Sequence, residues 1–135
     1  MLGIVVCTHS NFAEGIKNAV EMIVGEQENF DVVCFQEGED MLALSERIKE
    51  VTAKYEDTGE KYIVCADLFG ATPFNASAAA LAAFDTSVVT GVNLPMLLQL
   101  VTEREFCEDY DEFLEDAMKN AKDNMKIVKM KEMFS

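Results

Sequence analysis

The chain has 135 residues, of which 50% are hydrophobic, and a formal net charge of −14. This length and apolar content predict one globular domain, residues 1–135, with enough material for a full core. Such a negative charge argues against nucleic acid and anionic membrane surfaces as partners.

The first half of the chain alternates short apolar runs with segments of helical period. Strands are predicted at residues 2–7 and 31–35, which are apolar without strict alternation, as strands buried on both faces are. Helices are predicted at residues 12–24 and 40–55. Each helix is predicted from apolar residues on one face, which are Phe12, Ile16, Val20 and Ile23 in the first and Met41, Leu44, Ile48, Val51 and Tyr55 in the second.

The alternation continues with a strand at residues 62–66 and another at 87–91. Between them, a helix is predicted to begin at Thr72-Pro73 and to run through an alanine-rich stretch to about Phe84. Thr72 suits the N-cap position, and proline suits the first helical position because its missing N–H costs nothing there.

The last part of the chain is predicted to contain two helices and a strand. A short helix should follow Asn93-Leu94-Pro95, and a second covers about 108–122, with acidic residues in its first turn and lysines in its last. Residues 125–131 are predicted to form a final strand, in which lysines interrupt the apolar side chains as is typical of an edge strand.

This β-α-β-α-β-α-β order predicts an α/β fold with a doubly wound parallel sheet. Right-handed crossovers place helices on both faces of the sheet. The expected strand order is 2-1-3-4, because that order creates a switch point between strands 1 and 3. Ligands of such folds bind in the crevice at the carboxyl ends of those two strands.

Two side chains with acid–base chemistry follow the two strands at that crevice. His9, the single histidine, follows strand 1, and Asp67 follows strand 3. Neighbouring strands lie ~4.8 Å apart, so the two side chains should meet. The Asp67 carboxylate can then accept the imidazole N–H, fix the tautomer, and leave the other nitrogen as a nucleophile for a phosphoryl group. The alternative is a solvated loop histidine and a turn aspartate.

The four cysteines, Cys7, Cys34, Cys65 and Cys107, show no CxxC or other metal-ligand spacing. They are therefore expected to be reduced thiols in a cytoplasmic protein without a zinc site. The N-terminal apolar run is too short for a signal sequence, and no stretch has the ~18–20 apolar residues of a membrane span. No nucleotide-binding motif is visible either, so no cofactor is expected.

Four short segments carry a resemblance to a known family. They are GIVVCTHS at 3–10, GEQEN at 25–29, DLFGATPFN at 67–75 and GVNLPML at 91–97. Together they resemble the enzyme IIA component of the mannose family of the bacterial phosphoenolpyruvate-dependent sugar phosphotransferase system, over essentially the whole chain. The family usually has glycine at the position of Ala71. Because no long Ala/Pro linker follows, the chain is expected to be a free-standing IIA rather than one fused to IIB.

The resemblance implies a phosphotransferase that works through a phosphohistidine. His9 would accept a phosphoryl group from the carrier protein HPr on Nε2 and pass it to the IIB subunit. The IIC and IID membrane subunits, which select the sugar, would then be indirect partners. Asp67 would hold Nδ1 of the ring.

The resemblance also implies an active-site loop and a dimer. Thr72 would offer a hydroxyl beside the phosphate, and Phe69 an aromatic ring near the site, with Ser10 and Gly70 in the same loops. The last residues, 124–135, would form an antiparallel edge strand, at about 124–131, and a tail, and the strand would be exchanged between the two subunits of a homodimer.

Three other functions fit parts of this pattern. A receiver domain shares the topology, but it needs acidic residues after strand 1, where this chain has Thr8-His9-Ser10. The phosphotransferase subunit that serves dihydroxyacetone kinase also begins with a strand and a histidine, but its loop after strand 3 differs from DLFGATPFN. A regulatory module that binds a partner could keep the fold, although the presence of both His9 and Asp67 argues against a dead site.

Overall fold

A parallel four-stranded sheet forms the centre of the protein, as seen in a computed structural model that describes residues 1–133. The strand order is β2-β1-β3-β4, and every neighbouring pair is parallel. The predicted order 2-1-3-4 is therefore confirmed. The strands are β1 (Gly3–His9), β2 (Phe30–Phe35), β3 (Tyr62–Ala66) and β4 (Ser87–Thr90).

Helices cover both faces of this sheet, as the crossover rule predicts. They are α1 (Phe12–Val24), α2 (Met41–Thr58), α3 (Thr72–Leu81), α4 (Leu94–Glu103), α5 (Tyr110–Asp123) and α6 (Met130–Met133), with a 3-10 turn at Arg104–Phe106 after α4. None of the helices within residues 1–133 is long and apolar enough to cross a membrane.

Alternate residues of β1 enter two separate cores, because successive side chains of a strand point to opposite faces. Ile4 and Val6 pack with apolar residues of α1, α4 and α5. Val5 and Cys7 pack with apolar residues of α2 and α3. The central strand is therefore buried on both sides, which explains why its sequence is apolar without alternation.

The register of the sheet determines where the two candidate side chains lie. Cys7 of β1 is paired with Ala66, the last residue of β3, and β1 continues for two more residues to His9. His9 and Asp67 follow within two residues of that pair. They therefore lie at the same carboxyl edge of the sheet, at its switch point.

A buried arginine organises the opposite edge of the sheet. Arg104 is only 3% exposed, and its guanidinium donates to the carbonyl oxygens of Leu2, Glu28 and Asn29. The last two belong to the GEQEN segment, residues 25–29. This segment is thus held to the start of β1 and to the end of α4, far from His9.

A close approach between β1 and α2 makes Gly3 necessary. A Cβ at Gly3 would lie 2.5 Å from the ring of Tyr55, which is 1% exposed and donates to Asp31 at 2.6 Å. We expect Gly3→Ala to lower the free energy of unfolding by about 1–3 kcal/mol, because the ring must move from its packed position. Chemical denaturation measures the change.

Gly15 is the matched control for that substitution. It lies in α1, and a Cβ there would meet nothing within 4 Å. Gly15→Ala should raise the stability by about 0.5–1 kcal/mol, because alanine loses less conformational freedom in a helix. A Gly3→Ala protein as stable as the wild type would contradict the packing argument.

The buried face of α1 differs from the predicted one. Ala13, Ile16 and Val20 are buried, whereas Phe12 and Ile23 are 48% and 57% exposed. The prediction was wrong for these two residues because the buried face is centred on the side of Ala13, which is fully buried in the same first turn, and Phe12 and Ile23 lie at its margin. Met41, in the first turn of α2, is 38% exposed, whereas Leu44, Ile48 and Tyr55 are buried as predicted.

The start and end of α3 also differ from the prediction. Thr72 is the first helical residue rather than the N-cap, and Ala71 occupies the cap position with an extended backbone. The helix begins one residue earlier because the carbonyl of Ala71 already accepts the first helical bond, from Asn75. It ends at Leu81 rather than near Phe84.

The C-terminal segment forms no strand within the described residues. Residues 125–129 have no regular structure, and α6 follows them, so a strand at 125–131 is not found in the single chain. A strand needs a neighbouring edge for its hydrogen bonds, and an exchanged strand finds that edge only on a second chain. The exchange itself stays a prediction, and residues 134–135 lie outside the described part.

Candidate active site

The structure brings His9 and Asp67 together at the carboxyl edge of the sheet. Nδ1 of His9 lies 2.8 Å from Oδ2 of Asp67. The His9 side chain is 45% exposed, whereas that of Asp67 is 16% exposed. The Asp67 carboxylate thus lies on the protein side of the imidazole ring. The ring itself is open to solvent, so a partner protein can reach it.

This contact determines which nitrogen of His9 can act as a nucleophile. An ionised carboxylate only accepts hydrogen bonds, so Nδ1 must carry the proton and donate it to Asp67. In the neutral ring, Nε2 then holds the free lone pair. The same Asp67 oxygen also accepts the backbone N–H of His9, at 3.1 Å, so the carboxylate holds both the ring and the main chain.

The turn between β1 and α1 is held by several short hydrogen bonds. Thr8, which is fully buried, accepts the N–H of Ala13 at 2.7 Å through its hydroxyl oxygen and donates to the carbonyl of His9 at 3.2 Å. Ser10 is exposed, has a φ of +51°, and donates its N–H to the carbonyl of Phe35 at 2.7 Å. Hydrogen bonds thus join the backbone around His9 to α1 on one side and to β2 on the other.

An aromatic side chain at the end of β2 packs against a second side of the His9 imidazole ring. Phe35 meets the imidazole edge to face, with ring centroids 5.9 Å apart and planes at 74°. The next residue, Gln36, donates its side-chain amide to Asn11 at 2.8 Å, which ties the end of β2 to the start of α1. The ring of His9 is therefore placed by Asp67 and Phe35 together.

The loop after β3 leaves the sheet beside His9 and leads into α3. Gly70 adopts a φ of +80°, which explains the glycine, and its carbonyl accepts the side-chain amide of Asn75 at 3.0 Å. Ala71 has a φ of −86°, which alanine adopts freely, so the departure from the family's glycine leaves the backbone unstrained. The first turn of α3 presents free N–H groups, which favour an anion.

The other predicted site residues lie in or beside this loop. Thr72 is half-buried at the start of α3, and its hydroxyl makes no hydrogen bond within residues 1–133. Phe69 is 74% exposed and contacts Phe74, with ring centroids 5.0 Å apart. Leu68 beside it is also exposed. The loop therefore combines a hydroxyl that is available for a ligand with an apolar surface.

A cysteine behind the site is not a competing nucleophile. Burial, with a smaller contribution from the charge of Asp67, raises the pKa of the Cys7 thiol to about 12. Cys65, in the neighbouring strand, has its pKa raised to about 12 by burial alone. Both thiols are therefore protonated at neutral pH. A nucleophilic cysteine must be a thiolate, so neither can compete with His9.

Three contacts of this site were not predicted from the sequence. They involve Thr8, Phe35 and Asn75. Thr8 could have been found as a hydroxyl residue at a strand–helix junction, next to the candidate nucleophile. Asn75 could have been found as a member of the segment at 67–75 that carries the family resemblance. Phe35 had no such signal, because its contact depends on how the end of β2 packs against the ring.

The chain is similar to proteins of one family. The family model described as PTS system fructose IIA component matches residues 3–118. The mannose-specific EIIAB component of Escherichia coli K12 is 32% identical over 131 residues, which are 96% of this chain and 40% of that protein. This chain thus spans less than half the length of that relative. The sorbose-specific EIIA component of Lacticaseibacillus casei is 38% identical over 98 residues, 72% of this chain and 70% of that protein.

A solved structure shows the same architecture. The phosphotransferase system component EIIA from Streptococcus agalactiae superposes with a TM-score of 0.83 at 25% identity, over 94% of this chain and 97% of that one. The likeness therefore extends through the whole sheet and its helices.

Proposed function

The chain belongs to the mannose family of IIA components of the sugar phosphotransferase system, and from that membership we propose that it carries a phosphoryl group on Nε2 of His9. One observation carries this proposal. Nδ1 of His9 lies 2.8 Å from a carboxylate oxygen of Asp67, which leaves Nε2 as the nucleophilic nitrogen of an exposed ring.

The proposed reaction moves a PO₃ group between two imidazoles. The lone pair of Nε2 attacks phosphorus on phospho-HPr, the bond from phosphorus to the HPr histidine breaks, and its electron pair stays on that nitrogen. The proton stays on Nδ1 and remains hydrogen-bonded to Asp67 throughout, and the carboxylate stabilises the positive charge of the phosphorylated ring. The second transfer, to IIB, is the same reaction with His9 as the donor.

Such a transfer needs positioning and anion stabilisation more than covalent help. The candidate groups for the anion are the N–H groups of the first turn of α3 and the hydroxyl of Thr72. Ser10 and Gly70 shape the two loops that face this space. No metal or nucleotide takes part in the proposed step.

The proposed partners are HPr and the IIB subunit, which would meet His9 in turn. Three apolar side chains near the site are exposed, with exposed fractions of 48% for Phe12, 59% for Leu68 and 74% for Phe69. Exposed apolar groups beside a reactive residue suit a surface that partners cover transiently. The IIC and IID membrane subunits would receive the phosphoryl group only through IIB.

The proposed function predicts an acid-labile phosphate on His9. The protein is mixed with phosphoenolpyruvate, enzyme I and HPr, and the modified residue is mapped by mass spectrometry at neutral pH. One phosphate per chain is expected, on His9, and it should move to IIB when the purified phosphoprotein is mixed with an excess of that subunit. Phosphate on another residue, or none at all, would contradict the proposal.

We also propose that the protein is a homodimer in which residues 124–131 add to the sheet of the partner. In the single chain, Met125, Ile127 and Val128 are 79%, 95% and 53% exposed. The edge strand β4 and helix α5 line a groove of about 490 Å³, formed by Val88, Val89, Thr90, Leu114, Glu115, Met118, Lys119 and Lys122. An open strand edge beside apolar side chains suits an added strand.

Removal of the C-terminal segment should convert a dimer into a monomer. Sedimentation at micromolar concentration compares the full chain with one that ends at Lys122. Ile127→Asp should weaken the dimer, whereas Met22→Asp, at a 90% exposed position of α1, should not. A full chain that sediments as a monomer, or a shortened chain that stays dimeric, would contradict the exchange.

A further inference from the structure

Thr8 is the last residue of β1 before His9, and its hydroxyl joins two parts of the site. The side chain is fully buried, and its oxygen accepts the backbone N–H of Ala13 at 2.7 Å. The same hydroxyl donates to the carbonyl of His9 at 3.2 Å. One buried group thus connects the backbone of the candidate nucleophile to the first turn of α1.

Both polar groups of the His9 backbone are therefore bonded by a side chain. The N–H donates to Asp67, and the carbonyl accepts from Thr8. The next residue, Ser10, has a φ of +51°, in the left-handed region that residues other than glycine rarely adopt. A turn of this kind is kept only when its surroundings hold it, and the Thr8 hydroxyl is one of the groups that hold it.

We propose that Thr8 is a positioning residue for the phosphoryl transfer, acting through the backbone of His9. This inference rests on the proposed function, because it concerns how Nε2 is aimed at phosphorus. A misplacement of about 1 Å costs on the order of 10²-fold in the rate of such a reaction. Thr8 is fully buried and out of reach of a docked partner, so its loss should slow the transfer without weakening the docking of HPr.

Two substitutions distinguish the effect of the Thr8 hydroxyl on the transfer from the effect of the size and shape of its side chain. Thr8→Val keeps the volume and removes the hydroxyl, so the Ala13 N–H and the His9 carbonyl lose their partner. We expect kcat for transfer from phospho-HPr to fall by about 10- to 100-fold with an unchanged KM. Thr8→Ser keeps the hydroxyl and should restore kcat to near the wild-type value.

Thr52 offers a matched control in α2. It is 2% exposed, and its hydroxyl donates to the carbonyl of Ile48 at 2.9 Å, so it too is a buried threonine bonded to the main chain. Thr52→Val should leave kcat unchanged. Equal losses in the two valine variants would mean a general effect on packing and would overturn the inference.

A second measurement reports on the ring directly. In NMR spectra of the wild type, the Nδ1 proton of His9 should exchange slowly with solvent because Asp67 holds it, and the exchange should be faster in Thr8→Val. If the valine variant does not fold, Thr8→Cys, which replaces the hydroxyl with a weakly hydrogen-bonding thiol, takes its place with the same expectations. Unchanged kcat and unchanged exchange would overturn the role of Thr8, whereas a wild-type protein that takes up no phosphate would overturn the proposed function itself.

Discussion

A His9→Gln variant is expected to take up no phosphate from phospho-HPr. Glutamine has no nucleophilic nitrogen, and the chain has no second histidine that could replace it. The loss should be complete within the detection limit, which makes this the largest effect that the site predicts. Phosphate transfer is followed by the appearance of acid-labile label in the protein.

The fold should survive that substitution. The His9 side chain is 45% exposed, and its polar contact is with Asp67, so the circular dichroism spectrum and the unfolding midpoint should change little. Ser87→Ala is the control, because it removes an exposed hydroxyl at the start of β4, at the amino edge of the sheet, and should keep the label. Acid-labile label that persists in His9→Gln would assign the chemistry to another residue.

An Asp67→Ala variant is expected to transfer the phosphoryl group more slowly by a factor of ~10²–10⁴. Without the carboxylate, the ring can take the other tautomer, with the proton on Nε2, and it also rotates more freely. The backbone N–H of His9 loses its acceptor as well. Both directions of the transfer should slow, which rapid-quench measurements with phospho-HPr and with IIB record.

Two further substitutions sharpen that result. Asp67→Asn keeps the size but offers a neutral and weaker acceptor, so its rate should lie between those of the wild type and Asp67→Ala. Asp85→Ala is the control, because Asp85 is 94% exposed and pairs with Lys61 before β4, at the amino edge of the sheet. Wild-type rates in Asp67→Ala would reduce Asp67 to a residue of the turn.

The strands and the order of the sheet were predictable from the sequence. Strands β1 and β3 are apolar because they are buried on both faces, and that pattern is visible in the residues themselves. The connection rules then leave few topologies, and the observed one is among them. The pairing of His9 with Asp67 follows from this order, although each role in the transfer stays a prediction.

The helix faces and caps were less predictable. Phe12 and Ile23 lie on the same side of α1 as Ile16, yet only Ile16 is buried, together with Ala13 and Val20. Periodicity indicates the general direction of an apolar face, and it contains no information on which margin of that face the sheet leaves uncovered. The cap of α3 depended in the same way on how the preceding loop approaches the helix.

The fold, the family and the residues at the switch point follow from the sequence alone, because strand patterns and short motifs are local properties of the chain. How the site is held follows only from the packing of the folded chain. The two bonds to one oxygen of Asp67, the hydroxyl of Thr8 between His9 and α1, and the ring of Phe35 against the imidazole join segments that are distant in sequence. Such contacts depend on strand register and loop geometry, and these are properties of the packed molecule rather than of any one segment.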